Sequence, residues 1–193
     1  MKTFALILLC GCGVGFGGRT ERFELASSHV GATFVVSVWL PAAYAASTNS
    51  FPTVFQLDGE TQAEVVARYA EEQGLELIVV GIAAGSSANR FRDYTPSEDS
   101  RYGLDTGRGA DFAAFVAREL LPRVEADYRA SSQGRTLMGH SLGGLAVITQ
   151  FLSQRGQAPT FANFGAASPS LWWDSGEVLQ LEKTGRTAEP GTR

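Results

Sequence analysis

Histidine, lysine and cysteine each occur only twice in this chain of 193 residues, and each scarcity removes a class of function. The lysines are Lys2 and Lys183, the net charge is −4, and no basic cluster follows an aromatic residue, which argues against a nucleic-acid partner. Both cysteines, Cys10 and Cys12, fall within the first dozen residues, so the domain that follows holds no disulfide in any compartment. The histidines, His29 and His140, have no Cys or Asp at metal-ligand spacing, and no Gly-rich loop carries the lysine that a nucleotide phosphate site needs. No metal and no cofactor is therefore expected.

Long apolar runs are also lacking. The run in Met1-Lys-Thr-Phe-Ala-Leu-Ile-Leu-Leu-Cys-Gly-Cys12 follows one positive charge and ends in small residues, which is the pattern of a secretory leader too short to span a bilayer. Leu9-Cys-Gly-Cys12 resembles a bacterial lipobox, in which Cys12 is lipidated and Gly13 to Gly18 form a tether; a plain leader or a buried strand is the alternative. Residues 1–18 are thus read as leader and tether. The expected location is the bacterial cell envelope, as an exported lipoprotein with a lipid anchor, or else the periplasm or medium.

The remainder, 19–193, is long enough for one domain, and 44% apolar against 19% charged residues provides a core. It is organised around Arg135-Thr-Leu-Met-Gly-His-Ser-Leu-Gly-Gly-Leu-Ala-Val-Ile-Thr149, read as a strand, a sharp turn and a helix. Ser141 sits at the centre of Gly-X-Ser-X-Gly, where Gly139 and Gly143 remove the side chains that would obstruct a strained elbow. A serine held proud of the backbone beside free N–H donors is suited to nucleophilic attack. The Leu142 N–H, at the helix start, would point at the oxyanion. In a chain with 22 glycines the alternative is a loop that merely lets a helix approach a sheet.

In chain order, Glu21–Ser27 and Thr33–Leu40 suggest an antiparallel pair turning near Ser28 to Gly31. Thr53–Leu57 is a short buried strand running into Asp58-Gly59, a helix follows from about Glu60 to Gln73, and Gly74 stops it. Leu75–Ile82 is apolar enough for a central parallel strand. Ala83 to Gly107 reads as a long polar loop, the place where an open sheet puts ligand contacts. Asp111 caps a helix with Phe112, Phe115, Val116, Leu120 and Leu121 on its buried stripe, bent or restarted at Pro122. Pro159–Gly165 reads as a further strand, Ser175–Leu181 as a short helix, and Glu182–Arg193 as a polar tail. The order implies an α/β fold with a mostly parallel, doubly wound sheet.

Several stretches resemble, in order, the esterase family of the α/β-hydrolase superfamily, which includes enterochelin-type siderophore esterases, esterase D-like enzymes and mycolyltransferases. They are Val38-Trp-Leu-Pro41, Phe51 to Gly59, Ile78 to Ile82, Arg90 with Arg92-Asp-Tyr-Thr-Pro96, Gly139-His-Ser-Leu-Gly-Gly144 and Ser168-Pro-Ser-Leu-Trp-Trp173. The resemblance implies an α/β-hydrolase fold acting on a small-molecule ester, with Ser141 as nucleophile and Leu142 and a backbone N–H near Gly59 as the oxyanion hole. An ordinary strand-to-helix turn is the other reading of Asp58-Gly59. Arg90 and Arg92 would grip an anionic or catecholate substrate, or else pair with Asp93, Glu98 or Asp99. Trp172 and Trp173 would line an acyl or aromatic pocket, or else pack in the core.

Family order also places an acid and a histidine after the nucleophile, and here no histidine follows Ser141. His140 adjoins Ser141 and should point elsewhere, His29 lies in an early turn, and Asp174 has no imidazole to orient, so no general base is assigned. Residues 19–193 are accordingly expected to be a partial α/β-hydrolase domain lacking its C-terminal strands, weakly active, with an exposed apolar edge near Phe161 and poor stability. A cooperative thermal transition in the purified monomer would contradict that last expectation. The competing readings are a tethered, non-catalytic binding module and a vestigial product.

Overall fold

The computed structural model describes residues 17–154 and 158–184. The leader and Cys12 lie outside the described residues, as does the tail from 185 onward.

The antiparallel opening forms as the alternation predicts: β1 (Arg19–Ala26) pairs with β2 (Thr33–Leu40) across a turn in which Gly31 takes a left-handed φ of 73°. The strands β3 (Thr53–Leu57), β4 (Ile78–Ile82), β5 (Thr136–His140) and β6 (Asn163–Ala167) complete a six-stranded sheet in the order β1-β2-β4-β3-β5-β6. β3, β4, β5 and β6 are mutually parallel, and β2 joins β4 antiparallel. This is a mostly parallel α/β sheet flanked by helices, consistent with an α/β-hydrolase fold.

Helix α1 (Gly59–Glu72) returns the chain from β3 to β4, and α5 (Leu142–Ser153) carries it from β5 to β6. These connections leave adjacent strands in opposite directions, so right-handed crossovers send the two helices to opposite faces. Ala63 and Ala67 of α1 pack on Val79 and Trp39, and the larger core, including Leu145 and Val147 of α5, fills the other face. Gly81 permits the close seat of α1, since a Cβ there would lie 2.6 Å from that of Ala63.

Several expectations are corrected, one by a new element and the others at their boundaries. Within Ala83 to Gly107, where a long polar loop is expected, the chain forms a helix, α2 (Ser87–Tyr94). Its apolar stripe is only Phe91 and Tyr94, and its other long side chains pair by charge, so periodicity is a weak signal; the Ser86 cap and Pro96 beyond its end were the available signs. The following helix, α3 (Gly109–Phe115), starts before Asp111, whose carboxylate accepts from Arg108 Nε at 3.0 Å instead of capping. β4 begins at Ile78, because the Leu75 N–H closes the end of α1 on Ala70 O at 2.8 Å. β6 begins at Asn163, since the N–H groups of Thr160 and Phe161 bind Gln154 Oε1 and those of Ala162 and Asn163 both bind Arg135 O. Phe161 itself is buried, edge-on to Phe55 at 5.6 Å.

Pro122 does restart its helix. A π turn over Val116–Leu120 joins α3 to α4 (Leu121–Asp127), absorbing the missing N–H and the ring's conflict with the preceding turn. The last helix, α6 (Glu177–Thr184), follows a kink in which Asp174, Ser175 and Gly176 all have positive φ, which displaces it two residues from the expected start. Among the described residues no helix is long and apolar enough to cross a membrane.

Because Ser86 Oγ accepts the Asn89 N–H at 3.1 Å, Ser86→Ala is expected to cost about 1 kcal/mol in urea unfolding, the usual worth of an N-cap.

Candidate functional site

The crevice between the C-terminal ends of β3 and β5 is where the chain reverses direction across the sheet, the position at which open α/β sheets bind ligands. Parallel register, with Gln56 opposite Met138, brings the Asp58-Gly59 turn alongside the His140-Ser141 turn.

Ser141 stands at the apex between β5 and α5 with φ 57° and ψ −118°, a conformation that costs a residue with a side chain roughly 1–3 kcal/mol. The two glycines allow it. A Cβ on Gly139 would stand 2.4 Å from Gly143 O, and one on Gly143 would stand 3.2 Å from Asp58 Oδ2. The chain after β6 then wraps the elbow: the Ser141 N–H donates to Ala167 O and the Ser170 N–H donates to Ser141 O, each at 3.0 Å. Gly144 leaves room for this segment, as its Cβ would meet Ala167 O and Pro169 Cα at 3.0 Å. The hydroxyls of Ser141 and the buried Ser170 lie 3.2 Å apart.

Leu142 and Gly59 open α5 and α1, so neither N–H has a carbonyl four residues back within its helix. Gly59 is pressed against β4, where a Cβ would come within 2.4 Å of Gly81 C and Ile82 N. The preceding Asp58 has φ 54° and ψ 44° and is buried. Its carboxylate accepts from Arg90 Nε at 2.7 Å and Nη2 at 3.0 Å, and its N–H donates to Tyr94 Oη at 3.2 Å. Burial, and then the charge of Asp58, push the buried Tyr94 phenol well above its ordinary value, so it stays protonated. Burial opposes the charge on Arg90, but the Asp58 hydrogen bonds and charge outweigh it and raise its affinity for the proton.

The other sequence candidates separate. Arg92 makes a two-pronged pair with Asp93, at 2.7 and 2.9 Å, but this pair is largely buried, with Asp93 1% exposed, where surface ion pairing is the expectation. Burial raises the Asp93 carboxyl despite the opposing pull of Arg92. Trp173 is 1% exposed, stacked on Tyr102 at 5.0 Å, with Nε1 donating to Ser97 Oγ at 3.2 Å. Trp172 is 57% exposed, two residues beyond Ser170, with its ring 6.4 Å from that of the exposed Tyr102. Asp174 accepts from Ser97 Oγ at 3.2 Å. His140 ends β5 exposed, and His29 lies in the β1–β2 turn. That turn is at the same end of the sheet as Ser141, but three inter-strand spacings, about 14 Å, separate β2 from β5. Ser170, Asp58 and Tyr94 lie in stretches noted in the sequence, yet the contacts that single them out are between elements and leave no local pattern.

The profile of the family described as "Putative esterase" matches residues 27–189. The chain is 30% identical over 151 residues to the ferri-bacillibactin esterase BesA of Bacillus subtilis, covering 67% of this chain and 51% of that protein. It therefore spans about half the length of that relative. Among solved structures, the BES protein from Bacillus cereus superposes with a TM-score of 0.75 at 27% identity, covering 85% of this chain and 66% of that one. An IroE-like serine hydrolase from Shewanella oneidensis gives a TM-score of 0.75 at 29% identity, over 87% and 55%. With a strained serine at the strand-to-helix elbow and a family match across most of its length, the chain belongs to the esterases of the α/β-hydrolase superfamily related to siderophore esterases.

Proposed function

We propose that this chain carries the nucleophile and oxyanion donors of a serine esterase acting on carboxylic esters. The observation that carries the reading is the Ser141 backbone: a side chain is held in a strained conformation at the crevice between β3 and β5, where two helix N-termini converge. Attack of Ser141 Oγ on the carbonyl carbon forms the tetrahedral intermediate, whose oxyanion takes the N–H groups of Leu142 and Gly59. Collapse expels the alcohol, and water then releases the acid. The proton lost from Ser141 Oγ passes to the departing alkoxide, which leaves as the alcohol; Ser170 Oγ, 3.2 Å away, is a hydroxyl that can relay this proton but not keep it, and neither histidine makes that contact. In serine proteases an oxyanion hole and binding alone, without the rest of the triad, retain roughly 10³–10⁴ over water, which is the scale of activity expected of the described residues.

A siderophore-type ester is the substrate class that the relatives' names and the exposed Trp172 and Tyr102 favour, since flat aromatic faces suit an aryl group beside the scissile bond. The leader-like start and Cys12 support a cell-envelope location under the same reading, with the periplasm or medium as the alternative. The deciding experiment is incubation of the intact protein with a fluorophosphonate followed by peptide mass mapping. A single adduct on Ser141 is expected, and an unmodified Ser141 under conditions that label a control esterase refutes the proposal.

A further inference from the structure

Arg90 stands beside the site, and the sequence offered it as a grip for an anionic substrate. Its surroundings describe a different task. Asp58, at φ 54° and ψ 44°, lies in the left-handed region, which aspartate tolerates better than most L residues but which still favours glycine. Three contacts from α2 and α5 hold it there: the Arg90 fork on the carboxylate, Tyr94 Oη on the N–H, and the carboxylate's seat against the first turn of α5 at Gly143. The carbonyl of Asp58 in turn accepts the N–H groups of Thr61 and Gln62, both at 3.0 Å, which starts α1. Glu60 fastens the same turn, accepting the N–H groups of Ala84 and Gly85 at 3.1 Å each, just ahead of the Ser86 cap. α2 is thus a clasp over the turn that presents Gly59. Two nitrogens of the Arg90 guanidinium are committed to Asp58, and a lysine cannot reproduce that fork.

We propose that Arg90 is a positioning residue: through the Asp58 carboxylate it holds the Gly59 N–H in register with Ser141, and it does not bind the substrate's charge. The inference rests on the esterase reading, but its structural half is separable from activity. Displacing one oxyanion donor by about an ångström lowers turnover while leaving ground-state binding almost untouched. A grip would do the reverse, and only for anionic esters.

The test compares wild type, Arg90→Met, Arg90→Lys, Asp58→Asn and the double variant R90M/D58N on neutral p-nitrophenyl acetate and on the anionic mono-p-nitrophenyl succinate. Amide hydrogen exchange at Thr61 and Gln62 is followed in parallel. Arg90→Met is expected to lower kcat for both esters by roughly 10- to 100-fold with KM within about twofold, and to speed exchange at Thr61 and Gln62 by about tenfold. Arg90→Lys falls between, Asp58→Asn matches Arg90→Met, and the double variant is no worse than either single one, because one interaction is removed in each case. A rise in KM confined to the anionic ester overturns the proposal, as does unchanged exchange in Arg90→Met. If wild type shows no Ser141-dependent hydrolysis, the esterase reading fails by itself. The exchange data then decide alone whether Arg90 fastens the turn.

Discussion

Ser141→Ala is expected to abolish fluorophosphonate labelling and every turnover that passes through an acyl-enzyme, leaving at most the roughly 10³–10⁴-fold over water that an oxyanion hole and binding supply without a nucleophile. The substitution removes one oxygen and leaves Ser170 Oγ, buried and 3.2 Å away, without that partner, a cost of about 1 kcal/mol. Folding therefore survives, and lost activity reports on chemistry. Ser141→Gly sharpens the point. At φ 57° and ψ −118° glycine is at ease where serine is not, so the glycine variant should melt at or above wild type while remaining inert. Hydrolysis persisting in Ser141→Ala at the wild-type rate would put the nucleophile elsewhere. A glycine variant clearly less stable than the alanine one would remove the strain argument.

Gly139→Ala should be among the most destabilising single methyl additions at the described residues, at about 3 kcal/mol or more by urea unfolding. The added Cβ would stand 2.4 Å from Gly143 O and 2.5 Å from Gly143 C, both backbone atoms that cannot rotate aside. β5 and the first turn of α5 would have to part, taking Ser141 with them. Gly134→Ala is the control, because φ there is 71° but nothing lies within 4 Å, so only the conformational penalty of about 1 kcal/mol applies. In a domain of this size the difference corresponds to several degrees in Tm. Equal effects at the two positions would mean that the elbow is not closed as described.

These contrasts mark where the sequence stops being informative. The β-rich run Thr33–Leu40, the apolar run ending at Ile82 and the helical spacing after Ser141 each report burial of one element, and the strands and helix form there, with β4 starting three residues late at Ile78. α2 escaped because its stability comes from pairs such as Arg90 with Asp58, which are 32 residues apart, and from a cap, not from an apolar stripe. Gly59 and Gly139 both precede or flank a turn in the sequence. Only the packing shows that each is held against a neighbouring backbone. For Trp172 and Trp173, adjacent and identical in chemistry, the kinked turn at Trp173–Gly176 decides that one ring is buried and the other exposed.

By itself the amino-acid order determined the α/β class, the antiparallel opening of the sheet and the strand-turn-helix around Ser141, because hydrophobic period and glycine spacing are local properties that each segment carries with it. Tertiary structure alone decided which strands adjoin, and hence that the turns at Asp58 and Ser141 share one crevice, that Ser170 meets Ser141, and that Arg90 is committed to Asp58. Those are meetings between segments far apart in the chain. Their geometry is set by the direction of each crossover and the depth to which a glycine lets one backbone approach another, neither of which leaves a repeat in the sequence.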